Sequence, residues 1–109
     1  MKTSYFAKYK GNNGISIAIK SPPYFKGKEY SQLFPKWSFL KKYLNDKNEI
    51  TYTIEYYKQI LNTLDPYKVY NDLSDKVLLC WESPDKFCHR RLVAEWIERK
   101  LNIVVPEII

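Results

Sequence analysis

Five apolar residues in a row, Val-Leu-Leu-Cys-Trp at 77–81, constrain this chain more than any other stretch. The run does not alternate with polar residues, so a strand made from it needs cover on both faces, as an inner strand of a parallel sheet has. Ser83-Pro84 then reads as a helix start, with Ser as N-cap and Pro at the first helical position. Asp85 falls in that first turn, where the helix macrodipole favours an acid. A helix from there to about Leu101 puts Leu92, Val93, Trp96 and Ile97 on one face, with His89 in its middle. Cys88 and Arg90 flank His89, and Arg91 points to solvent. Both cysteines and the only histidine therefore fall where a strand ends and a helix begins. Open α/β sheets bind ligands in that crevice.

The rest of the chain supplies partners for this unit. Residues 3–9 predict a first strand, Gly11-Asn-Asn-Gly14 a turn, and residues 15–19 a second strand rich in β-branched side chains. Ser21-Pro22-Pro23 stops that strand because Pro cannot continue a ladder, which leaves Lys20 at its end. Residues 24–35 predict a loop mixing Tyr24, Phe25 and Tyr30 with Lys26 and Lys28. A helix over 35–44 carries Trp37, Leu40 and Leu44 on one side. Asp46 and Glu49 stand in capping-box spacing before a second helix, whose stripe is Ile50, Ile54, Tyr57, Leu61 and Leu64. Tyr52 and Tyr56 lie on its other, more exposed side. Asp65-Pro66 opens a short helix to about Leu73, Asn102 caps the last helix, and 103–105 predicts a short final strand before Pro106. The order predicts a single α/β domain over 1–109, a small, largely parallel or mixed sheet flanked by helices.

Composition narrows the class. At 45% hydrophobic and 17% aromatic residues the chain is globular rather than disordered. No apolar run approaches the roughly 18 residues of a membrane span, and the N-terminus lacks the apolar region of a signal peptide. A cytoplasmic protein with no membrane partner is the expectation, and in that compartment two cysteines are expected as thiols. The net charge of +6 is uneven: residues 1–48 carry ten Lys against two acids, and residues 49–109 carry eight basic against ten acidic residues. Such a basic half can bind nucleic acid. Against that, 15 of the 18 basic residues are Lys rather than the forked Arg that base and phosphate recognition favours. Lys, Asn, Ile and Tyr are also all abundant, as AT-rich codons would make them.

Cys80-Trp-Glu82-Ser-Pro84-Asp-Lys-Phe-Cys88-His89-Arg90 resembles the signature of the domain-of-unknown-function 488 family, a Cys, a Glu two residues on, and a Cys-His-Arg at this spacing. Thr3-Ser-Tyr-Phe-Ala and Ile17-Ala-Ile-Lys-Ser-Pro-Pro are similar to its first two strands. Tyr52-Thr-Ile-Glu-Tyr-Tyr and Leu64-Asp-Pro are similar to its middle helices. The resemblance covers nearly the whole chain and implies a single α/β domain. It implies no activity.

Four chemistries compete at the Cys-His-Arg turn. Cys80 alone suits a buried core thiol, but Cys88, His89 and Arg90 in succession are a costly way to fill a core. A zinc site lacks a fourth ligand, and adjacent Cys88 and His89 do not readily share one tetrahedral centre, so no metal and no cofactor are expected. A phosphatase-like thiolate loop is disfavoured by the nine residues between Cys80 and Arg90 and by Glu82 and Asp85 among them. The favoured reading is an anion- or nucleotide-binding pocket near the helix start, with Arg90, Lys20 and Cys80 as ligand-binding candidates. Cys88, His89 and Glu82 are the catalytic candidates there, Glu82 also being able to fix Arg90 or His89. A small enzyme on a nucleotide or nucleic-acid-related substrate and a non-catalytic nucleic-acid module using the lysine-rich half are the two functions that remain. The partner in either case is a phosphate-bearing small molecule or a nucleic acid.

Overall fold

The computed structural model describes residues 1–108. Four strands, β1 (Lys2–Tyr5), β2 (Gly14–Ser16), β3 (Lys28–Glu29) and β4 (Val77–Cys80), form one sheet in the order β1-β4-β2-β3. Every pairing is parallel, with Thr3 opposite Leu78 on one side of β4 and Ile15 opposite Leu78 on the other. The first four residues of the non-alternating run are thus an inner strand and all are buried, whereas Trp81, expected in the same strand, lies beyond its end and is 50% exposed. Four helices follow the same chain: α1 (Trp37–Asp46), α2 (Glu49–Gln59), α3 (Pro66–Leu73) and α4 (His89–Leu101). The small α/β domain expected from the order of elements is what forms.

The two faces of the sheet are covered differently. Leu78, Ile15 and Ile17 face a core built from α1–α4, with Phe39, Tyr56, Val69, Leu73, Val93, Trp96 and Ile97. Successive residues of a strand point to opposite sides, so Val77 and Leu79 meet Phe6, Ala18, Tyr9 and Phe25 instead. Loops, not helices, cover that side. Gly14 fits there because a Cβ on it would come within 2.6 Å of Leu79 Cδ1.

Several local expectations are corrected. Strand β1 stops at Tyr5 and β2 at Ser16, and residues 24–35 contain β3 and a 3-10 turn, Ser31–Leu33, rather than loop alone. Helix α4 starts at His89, not near Pro84, with Cys88 as N-cap. Ser83 spends its hydroxyl on Asp85, and Lys86 N–H closes a turn on the Ser83 carbonyl at 3.0 Å, so no helix propagates from there. Asn48, rather than Asp46, caps α2 by accepting from Thr51 N–H at 3.1 Å. Residues 103–105 are not a strand; Glu107 makes a single parallel bridge to Thr3, whose N–H donates to the Pro106 carbonyl. Pro106 offers no N–H of its own to extend a ladder.

The expected stripe over 50–64 holds only in its later part, where Leu61 is buried and Tyr57 and Leu64 pack on the core, and is turned outward at the start of α2. Ile50 and Ile54 are 74% and 58% exposed, whereas Tyr52 and Tyr56 are buried. Two aromatic rings bury more area than two isoleucines, and these two pack edge-on to Phe39, at 5.2 and 6.4 Å between centroids. Tyr56 satisfies its hydroxyl by donating to the Leu33 carbonyl at 2.6 Å. On α1 only Phe39 is buried, and Trp37 and Leu44 are half exposed. No helix among the described residues is long and apolar enough to cross a membrane.

Candidate functional site

The carboxyl ends of β2 and β4 open into a cavity of about 280 Å³. Chain continuations from both strands form one wall: Ala18, Ile19 and Lys20 after β2, and Trp81 and Glu82 after Cys80. Helices α1 and α2 supply the other wall, with Trp37, Leu40, Tyr43, Leu44 and Tyr52. Phe87, Cys88 and His89 enter from the start of α4. The rings interlock around the cavity: Phe87 lies 5.3 Å from both Tyr43 and Tyr52, and His89 lies 5.4 Å from Tyr56. Trp81 is held in place by its indole N–H, which donates to the Lys20 carbonyl at 2.7 Å.

His89 is buried at the back of this cavity. Its Nε2 lies 2.7 Å from the Ile17 carbonyl, which can only accept, so Nε2 carries the proton and Nδ1 keeps its lone pair. Burial holds its pKa down to about 4, with Arg90's positive charge adding and the Ile17 hydrogen bond opposing. The ring is therefore neutral at physiological pH. Nδ1 faces Cys88 Sγ at 3.9 Å.

Cys80 and Cys88 are bonded to each other as a disulfide. The expectation was of two thiols; here the pair is closed, across a Cα separation of 7.2 Å that is wider than a disulfide usually spans. The reason is local: Cys80 ends β4 and Cys88 caps α4 in extended backbone, and the intervening turn folds one sulfur onto the other. Sγ of each cysteine and a ring nitrogen of His89 all lie within 4.8 Å of one another.

Arg90 does not line the cavity. It is 1% exposed and turned to the C-terminal segment, where Nε and Nη2 donate to the Glu107 carboxylate at 3.0 and 2.8 Å. Its Nη1 donates to the Glu82 carbonyl at 2.6 Å and to Cys80 Sγ at 3.1 Å, and its guanidinium lies over the Tyr5 ring. So the expected link to Glu82 exists through backbone, while the Glu82 side chain stays exposed at the cavity. For Glu107, burial would raise the pKa, but hydrogen bonds from Arg90 and Thr3 and the charges of Arg90 and Arg91 outweigh it and lower it. Arg91, expected in solvent, donates through Nη1 to Thr3 Oγ1 at 2.8 Å and the Val105 carbonyl at 2.9 Å.

Five of the six candidate residues thus meet at one cavity: Cys80, Glu82, Cys88, His89 and Lys20. The aromatic wall was not anticipated as part of it. Of the tyrosine pair that stands four apart on α2, Tyr52 lines the cavity and Tyr56 lies behind it in the core. The basic loop is less available than its composition implies. Phe25 packs into the core and Tyr30 donates to Asp72 at 2.7 Å, leaving Tyr24 exposed with Lys10 over its ring at 4.9 Å. No family model, curated protein or solved structure matches the chain.

Proposed function

We propose that this protein binds a small planar ring-bearing ligand with an anionic group, a nucleotide or nucleotide-like molecule, in the cavity at the carboxyl ends of β2 and β4. The observation that carries the reading is the lining itself. Trp37, Tyr43, Tyr52, Trp81 and Phe87 surround one space with Lys20 exposed at it and neutral His89 at its back. Aromatic and apolar walls with few convergent polar groups are what small-molecule sites use, in spaces of roughly 300–1,000 Å³. At about 280 Å³ the cavity suits the ring system, with the anionic group outside beside Lys20. A phosphate buried against Arg90 is not supported, because Glu107 and the Glu82 carbonyl already take that fork.

Chemistry on such a ligand would fall to His89 and, after reduction, Cys88. Glu82 is the exposed acid at the same cavity. The nucleic-acid module is the less supported reading, since Tyr24 is the only exposed ring of the three in the basic loop.

Trp37 and Trp81 report the site directly through their fluorescence. Titration of the oxidised protein with adenosine, adenosine monophosphate and inorganic phosphate should quench them with the first two and not the third. Lys20→Ala should weaken the monophosphate towards the nucleoside's affinity while leaving the nucleoside unchanged. Saturable quenching by none of a panel of nucleosides and monophosphates would defeat the proposal.

A further inference from the structure

We infer that, once reduced, Cys80, Cys88 and His89 form a three-donor site for zinc or a similar soft divalent metal, with its fourth position open to the cavity. The site needs nothing from the ring-bearing ligand proposed above, and the metal alone is its probe. Zinc–sulfur bonds of about 2.3 Å and zinc–nitrogen bonds of about 2.0–2.1 Å set tetrahedral ligand atoms about 3.6 Å apart. Cys88 Sγ and His89 Nδ1 already stand 3.9 Å apart. Neighbours in sequence reach one centre because Cys88 is extended, at φ −152° and ψ 144°, while His89 begins the helix. Cys80 Sγ, bonded to Cys88 Sγ in the oxidised chain, completes the triad within 4.8 Å, and opening that bond lets the two sulfurs part to tetrahedral spacing. The Cα atoms of the two cysteines are 7.2 Å apart, wider than a disulfide usually spans, and two thiolates sharing an ion accept that spacing.

The contacts around the triad are those that metal ligands use. His89 donates its other ring N–H to the Ile17 carbonyl, which fixes Nδ1 as the free donor. Arg90 donates to Cys80 Sγ and supports the negative charge of a ligating thiolate. Two thiolates and a divalent cation sum to zero charge, which an apolar surround tolerates. A structural zinc site takes four protein ligands, whereas a site with three keeps water or a ligand in the fourth position. Here all three donors line the cavity, so that position faces the space where the ring-bearing ligand is proposed.

Entry into this state is a balanced reduction. Two thiols of a small-molecule reductant transfer two electrons and two protons, the Cys80–Cys88 bond opens to two thiols, and the reductant leaves as its own disulfide. Metal binding then displaces one proton from each cysteine. The pair therefore works as a redox-gated metal site, closed when oxidised.

Cobalt(II) added to protein reduced with a non-chelating phosphine tests this. The expected result is one cobalt per chain, with the intense visible bands of tetrahedral coordination and a near-ultraviolet thiolate charge-transfer band, both displaced by zinc. The oxidised protein should give neither. Cys80→Ser, Cys88→Ser and His89→Gln should each weaken cobalt by more than the roughly 10–100-fold that losing an outer contact costs; His89→Cys should keep tetrahedral bands with stronger charge transfer. If a variant does not fold, alkylation of the reduced natural chain decides, since zinc should protect both thiols together. Absence of tetrahedral bands, bands unchanged in Cys80→Ser, or thiols alkylated equally fast with and without zinc would overturn the inference.

Discussion

Replacing Arg90 with Ala isolates the interaction that ties the Cys-His-Arg turn to both chain ends. The side chain is 1% exposed, and the carboxylate it holds at 2.8 Å is 13% exposed. Truncation leaves that carboxylate, the Glu82 carbonyl and Cys80 Sγ without their shared donor. Breaking a buried pair by deleting one partner costs about 3–5 kcal/mol. Glu107 keeps the Thr3 hydroxyl and some solvent, so the low end applies, about 3 kcal/mol. Arg91 lies one residue further on but is only partly buried and makes two neutral-acceptor hydrogen bonds. Its truncation should cost about 1–2 kcal/mol, more than a solvated arginine would. Urea unfolding of both variants at neutral pH gives the comparison, and an Arg90→Ala, Glu107→Ala cycle should return a coupling of about 1–3 kcal/mol. An Arg90→Ala loss under about 0.5 kcal/mol, or a larger loss at Arg91, would refute the pairing of turn and C-terminal segment.

Acid should weaken the oxidised fold through His89. Its pKa is about 4 in the folded chain against an ordinary 6.5, so stability is full above 6.5 and is lost as pH falls towards 4, by at most roughly 3 kcal/mol. His89→Gln should flatten unfolding free energy across that window; an unchanged slope would put the titrating group elsewhere. Tyr56→Phe removes a buried hydroxyl that donates to the Leu33 carbonyl and should cost about 1–2 kcal/mol in thermal or urea unfolding. Tyr52→Phe, whose hydroxyl makes no hydrogen bond among the described residues, should stay within about 0.5 kcal/mol, and equal losses would contradict the assignment.

Long patterns were legible and competing local signals were not. The apolar run at 77–81 announced an inner strand because no half-exposed strand can afford it, and the buried face of α4, with His89 in its middle, followed from helical spacing alone. The start of that helix was misplaced because Ser83-Pro84-Asp85 has the residue types of an N-terminus, whereas the Ser83 hydroxyl is taken by Asp85. Helix α2 was rotated because an aliphatic stripe and a tyrosine pair competed for the same core, and ring packing against Phe39 and Phe87 won. Arg90 was placed beside His89 at the border of the buried face, but it is fully buried, and its partner Glu107 lies 17 residues on, beyond the reach of any local pattern. The same holds for the cavity: its chemistry-bearing residues clustered in sequence, and its aromatic wall came from distant helices.

Amide chemical-shift mapping of the oxidised protein with adenosine monophosphate tests the central claim most directly, because it locates the ligand as well as detecting it. The cavity reading predicts saturable shifts at Ala18, Lys20, Trp81, Glu82, Phe87 and His89, with Lys10, Tyr24 and Lys26 unmoved. Shifts gathered at Lys10, Tyr24 and Lys26 would assign binding to the basic loop instead. That pattern, or no saturable shift at the cavity, would contradict a ligand site at the carboxyl ends of β2 and β4.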